Sequence, residues 1–173
     1  MRLHDNSVRK MSELAVLLAA ALALSYVENM IVLPIPVPGV KIGISNVLLA
    51  YVVCRYSFPV ALGFGMSKCL LALIFAGRLS SVFYSLTGML FAVAAMGLCR
   101  RIRCFSVLGV NVCGSVCHVF GQLLAAVFVL GNVAVLTFSP LLTLFAVISR
   151  LLTYIPLRVV LQRIYSLKNG ENL

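Results

Sequence analysis

Long apolar runs, broken by short basic clusters, set the pattern of this chain. Six runs stand out: Glu13–Leu33, Ile42–Cys54, Phe58–Ala76, Val82–Cys99, Val107–Leu130 and Pro140–Leu161. A helix needs about 20 predominantly apolar residues to cross the hydrocarbon of a bilayer. The second run is short, at roughly 20 Å of helical rise. A tilt, a thin cover or ordered chain entering the bilayer ahead of it would each account for that length. Transmembrane strands would alternate over about 10 residues, whereas these runs are continuously apolar. The pattern predicts an all-α membrane protein with six transmembrane helices in residues 13–164, flanked by tails at 1–12 and 165–173. A cleaved signal peptide is the competing reading of the first run, because Ala21-Leu22-Ala23 has the small-x-small form. The run continues well past the length of an ordinary signal sequence.

Composition narrows the picture further. Of the 173 residues, 62% are apolar and only 10% are charged, against about 45–50% and about 25% in soluble domains. Too little polar surface exists to coat a water-exposed globule, and hydrophobicity is far above that of disordered chains. The net charge of +10 does not make a nucleic-acid surface, because the charges cluster between apolar runs and not along one solvated face. They set orientation instead. In a six-span arrangement Arg2, Arg9, Lys10, Arg55, Arg100, Arg101, Arg103, Arg158, Arg163 and Lys168 fall on one side; only Lys41 and Arg78 fall on the other. That asymmetry places both termini in the cytoplasm. The six cysteines make no C-x-x-C pair and read as small apolar residues. Nothing in the sequence calls for a cofactor or a metal.

Polar groups inside the spans carry the functional signal, since each is costly there. They are Glu28, Asn46, Lys68, Asn111, His118, Gln122 and Arg150. Counted from the outer span ends, Asn46 lies roughly 6 Å deep, Glu28 roughly 8 Å, Lys68 roughly 12 Å, Gln122 roughly 14 Å, Arg150 roughly 16 Å and His118 roughly 20 Å. These depths overlap, so one outward-facing pocket can collect them. Asn111, Ser115, His118 and Gln122 share one helical face. That face points either at a cavity or at a neighbouring helix, with the polar groups as glue. Glu28 is the one acid in a span, against the cations Lys68 and Arg150. An anionic ligand would complete the balance; snorkelling, or free carbonyls near Pro156, are alternatives for the basic residues. Ala15, Ala19 and Ala23 recur every four residues, about 180° from Glu28. This row either packs inside the bundle or, with Glu28 facing inward, meets a partner helix. The alternating prolines of Pro34-Ile35-Pro36-Val37-Pro38-Gly39 enforce an extended segment, which serves as a lid over the pocket or as a rigid connector.

The stretch Pro34-Ile35-Pro36-Val37-Pro38-Gly39-Val40-Lys41-Ile42-Gly43-Ile44-Ser45-Asn46, after a span carrying Glu28, resembles the signature of the Gx transporter family. That family is often labelled heptaprenyl diphosphate synthase component I. The resemblance extends over nearly the whole chain and includes Lys68, where the family commonly has Arg, and His118 with Gln122. Arg150 matches no family motif. The family in turn resembles the substrate-binding S-components of energy-coupling-factor (ECF) transporters. By that likeness the chain would be an S-component-like bundle in the bacterial inner membrane. It would capture a small anionic or isoprenoid- or quinone-related molecule, with Glu28, Lys41, Asn46, Lys68, His118, Gln122 and Arg150 at the ligand. Ala15, Ala19 and Ala23 would face a transmembrane coupling subunit that links the chain to separate ATPase subunits. The synthase label implies the alternative of a non-catalytic membrane subunit in prenyl diphosphate or quinone synthesis. The four acids, Asp5, Glu13, Glu28 and Glu171, are isolated, so the chain lacks the aspartate-rich run that prenyl transfer needs for Mg²⁺. The expectation is therefore a lipid-embedded binding protein and not an enzyme.

Overall fold

The computed structural model describes residues 2–30, 43–76, 79–102 and 105–169. Through those residues the chain runs as α1 (Arg2–Met30), α2 (Asn46–Arg55), α3 (Phe58–Ala76), α4 (Leu79–Arg101), α5 (Val107–Leu130), a 3₁₀ segment (Val133–Phe138) and α6 (Ser139–Asn169). Four stretches among them are long and apolar enough to cross a membrane: Ser7–Glu28, Val82–Arg101, Val107–Leu130 and Val133–Ile155. Asn46–Arg55 and Phe58–Ile74 are apolar but shorter. The chain is thus an all-helical, multi-pass membrane protein. Helix continues from Arg2 into the first apolar run and from the last run to Asn169, so the segments expected as tails are helical within the described residues.

Helix ends follow local chemistry. The Ser106 hydroxyl caps α5 by accepting from the Gly109 N–H at 3.1 Å. Gly131, at φ +63°, closes the same helix by returning its N–H to the Val127 carbonyl, the left-handed ending that glycine takes without strain. The Asn132 side chain then accepts from Ala134 N at 2.8 Å and starts the 3₁₀ segment. Pro59 stands in the first turn of α3, where a missing N–H costs nothing.

The bundle turns outward what a soluble protein hides. Phe128 is 86% exposed, Ile74 74% and Leu152 70%, as expected where lipid replaces water. The short helix α2 behaves in the opposite way. Val47, Leu49, Ala50, Tyr51, Val52 and Val53 are all buried, and α2 touches α1, α3, α4, α5 and α6. A helix that is apolar all round belongs inside a protein. At about 15 Å, it covers only half of a hydrocarbon layer about 30 Å thick. Its N-terminus therefore ends within the bundle, and the polar groups there need protein partners.

Two carboxylates of α1 supply partners at both ends of α2. Glu13 and Glu28 are separated by roughly 22 Å along α1 and differ by only about 60° in phase. Glu13 pairs with Arg55 Nε at 2.8 Å and accepts from the Tyr51 hydroxyl at 2.8 Å. Glu28 receives the opposite end. Arg100 from α4 closes the C-terminus of α2 by donating to the carbonyls of Val53 and Tyr56.

The packing of α4 on α5 is the most extensive in the bundle. It depends on glycine at the crossing: a Cβ on Gly121 would come within 2.8 Å of the Thr87 carbonyl oxygen and 3.0 Å of the Gly88 α-carbon. This close approach brings the polar face of α5 to the centre of the molecule.

Candidate functional site

The site forms where α2 begins. Gly43 adopts φ +83°, a left-handed conformation that glycine reaches without a Cβ clash. Ile44 and Ser45 then turn the chain into α2, with Asn46 N donating to the Gly43 carbonyl at 2.9 Å and Val47 N to that of Ile44 at 3.1 Å. Glu28 reaches over from the last turn of α1. Its Oε1 accepts from the N–H of Gly43 and from that of Ile44 at 3.2 Å. Its Oε2 accepts from the Ser45 hydroxyl at 3.2 Å. The carboxylate thereby satisfies amides that would otherwise be orphaned in a low-dielectric interior, at the positive end of a helix.

Cations approach the same turn from two other helices. Lys68 of α3 donates to Asn46 Oδ1 at 2.5 Å. Arg150 of α6, only 1% exposed, donates through Nη2 to the Gly43 carbonyl at 2.5 Å. The free carbonyls near Pro156 are thus not what Arg150 bonds. On α5, His118 Nε2 and Gln122 Nε2 lie 3.1 Å apart. If the amide nitrogen donates, the imidazole accepts there and carries its proton on Nδ1. The His118 ring rests on the backbone of α4: a Cβ at Gly88 would lie 2.7 Å from its Cε1 and Nδ1.

Gly43 is the point of convergence. A Cβ there would meet Asn46 Nδ2 at 3.0 Å, His118 Cδ2 at 3.2 Å and Arg150 Nη2 at 3.4 Å. The cavity beside it is lined by Ser25, Glu28, Gly43, Ser45, Asn46, Lys68, Cys69, Ala72, Ser85, His118 and Gln122. It offers about 20 Å³ to the centre of a water-sized sphere, space for one or two waters.

The donor balance is the chemical signature of the site. Beside Gly43 the buried donors Arg150 Nε, Arg150 Nη1 and Asn46 Nδ2 have no acceptor among the described residues; Asn111 Nδ2 and the Ser149 hydroxyl, away from the cavity, are likewise without a partner among them. Buried polar groups are nearly always hydrogen-bonded, and a charged one left unpaired is expensive. Among the described residues the buried ionised side chains are Glu28, Lys68 and Arg150, and Glu28 accepts from the start of α2. A group bearing acceptors, and negative charge, would satisfy this set.

Of the residues expected from the sequence, Glu28, Asn46, Lys68, His118 and Gln122 line one cavity and Arg150 stands directly behind Gly43. Asn111 and Ser115 are buried at 2% and 1% exposure on the same α5 face but do not line that cavity. Lys41, Arg78 and the proline segment lie outside the described residues. Ala15, Ala19 and Ala23 are exposed, while Ala21, Ser25 and Glu28 on the other side of α1 are buried. Gly43 and Ser45 were missed as site residues. The signal was present, since Gly43-Ile44-Ser45-Asn46 ahead of an apolar run is a helix-start pattern. Five cysteines among the described residues are free thiols. Cys99 and Cys113 bring their sulfurs within 3.3 Å across α4 and α5. Among the described residues no three His, Cys, Asp or Glu side chains gather where a metal could be held.

Fold and site together define a multi-pass helical membrane protein with a buried, cation-rich polar centre. Residues 17–159 match the family described as heptaprenyl diphosphate synthase component I, and the chain belongs to that family. No curated protein and no solved structure matches it.

Proposed function

We propose that this chain is a substrate-binding membrane subunit that captures a small anionic molecule for uptake, energised by separate ATPase subunits. The observation that carries this reading is the set of buried donors around Gly43, Arg150 Nε, Arg150 Nη1 and Asn46 Nδ2, that lack acceptors among the described residues. Buried charges are weak evidence for stability, so a fully buried arginine with two donor nitrogens that lack acceptors among the described residues is better explained by a ligand than by folding. Asn46, His118 and Gln122 would orient the ligand, and Lys41 would add charge at the mouth. The chain would pass six times through a bacterial inner membrane, α2 forming only part of the second passage, with both termini in the cytoplasm, in keeping with the asymmetry of the basic residues. The exposure of Ala15, Ala19 and Ala23, opposite the site, supports their role as the surface for a transmembrane coupling subunit.

A second reading is favoured by the family's description: an accessory membrane component of heptaprenyl diphosphate synthesis, with no chemistry of its own. Diphosphates are themselves anions, so the same donor set would serve either role. Affinity purification of the full chain from its native membrane separates them. Recovery of ATPase subunits with a transmembrane coupling protein is the expected result. Recovery of a soluble prenyl synthase in stoichiometric amount, without ATPases, would replace the first reading by the second.

A further inference from the structure

The cavity raises a problem of space. It admits one or two waters, whereas a phosphate or carboxylate group carries several oxygens that each need a donor. The best anion seat in the site is already taken. The Glu28 carboxylate sits on the N–H groups of Gly43 and Ile44 and on the Ser45 hydroxyl, ahead of the ten-residue helix α2. Backbone amides at a helix start are the arrangement that binds phosphate and carboxylate in many proteins. A second, independent observation marks this as a ligand site: Asn46 Nδ2, on a side chain 4% exposed that lines the cavity, has no acceptor among the described residues. That nitrogen lies 3.0 Å from the Cβ position of Gly43, and Arg150 stands on the other side of the same residue, donating to its carbonyl.

We infer that the Glu28 carboxylate is an internal occupant of the ligand's anion seat, and that a small oxyanion enters by displacing it. Glu28 lies in the last turn of α1, two residues before its described end at Met30, and both Val27 and Met30 beside it are exposed. A change of the Glu28 rotamer withdraws the carboxylate, frees the amides and enlarges the cavity. The incoming oxyanion then takes the amides of Gly43 and Ile44 and the Ser45 hydroxyl, Asn46 Nδ2 gains an acceptor, and the Arg150 charge behind Gly43 supplies attraction.

This role for Glu28 rests on the anion-capture reading above, and the test separates the two. Inorganic phosphate is titrated calorimetrically into detergent-purified full chain, as wild type and as Glu28→Gln. The neutral isostere competes weakly for the amides and no longer repels an anion. Phosphate should bind the variant at least tenfold more tightly than wild type. Equal or weaker binding by the variant overturns the displacement role and leaves anion capture standing. Absence of phosphate binding in both proteins overturns anion capture itself. Should the variant fail to fold, infrared difference spectra of wild type labelled with ¹³C-glutamate give the answer. Phosphate should shift one glutamate carboxylate stretch as Glu28 leaves its amide donors; bound phosphate with unshifted bands overturns the displacement.

Discussion

Gly43 shows how much a single position without a side chain can decide. Its φ of +83° and its neighbours at 3.0, 3.2 and 3.4 Å leave room for no Cβ. Gly43→Ala should therefore cost about 1–2 kcal/mol for the left-handed backbone and push Asn46, His118 and Arg150 apart. The measurement is thermal melting of the purified variant together with phosphate titration, and both should fall. The sequence made the charged members of the site legible, because Glu28, Lys68 and Arg150 are expensive in lipid wherever they occur. It made Gly43 far less so, since a glycine near a proline-rich stretch reads as punctuation until the helix that follows is seen to start inside the bundle. Arg100 was legible only as a topological charge; its service to the carbonyls of Val53 and Tyr56 depends on α2 and α4 meeting in three dimensions. Arg100→Ala should destabilise the protein by about 1–3 kcal/mol by uncovering those carbonyls, a loss visible in its melting temperature.

At the scale of elements, α2 departs most from expectation. Its apolar run predicts a short span, and the physical reason for its brevity lies in its surroundings. Buried on all sides, it needs no lipid-spanning length, and its exposed backbone ends are satisfied by Glu28 at one end and Arg100 at the other. Hydropathy along the chain distinguishes apolar from polar, but it does not distinguish lipid from protein as the apolar neighbour. The same limit applies to α1, whose face assignment came from phase. There the 180° offset between the alanine row and Glu28 agrees with the exposure of one and the burial of the other. The Glu13–Arg55 pair, with side chains 23% and 30% exposed, is worth little by itself, yet it fixes the lower end of α2 to the helix that carries Glu28. Glu13→Gln should melt within a few degrees of wild type while leaving phosphate affinity unchanged.

For the whole molecule, the exposed alanine row and the buried site lie on opposite sides of one helix. The proposed uptake role calls for both a surface for energising partners and a pocket for cargo, and α1 has an exposed face and a face at the buried site. Ala19→Leu should weaken co-purification of a coupling subunit, through loss of close helix approach, and spare phosphate binding by the isolated protein. Unchanged co-purification would return the row to simple lipid contact.

The central claim is that Arg150 is kept for a ligand and not for the fold. Arg150→Met tests it most directly, with phosphate titration and thermal melting on the same purified sample. The replacement also takes the donor from the buried Gly43 carbonyl, so the empty variant should melt modestly below the wild-type temperature, by the scale of about 1–3 kcal/mol for an uncovered buried acceptor. Phosphate affinity should fall at least about a hundredfold, the scale of about 3 kcal/mol expected for a charge-assisted hydrogen bond lost in a buried site. Unchanged phosphate affinity in a stably folded variant would contradict the account, as would a fall in stability with binding retained.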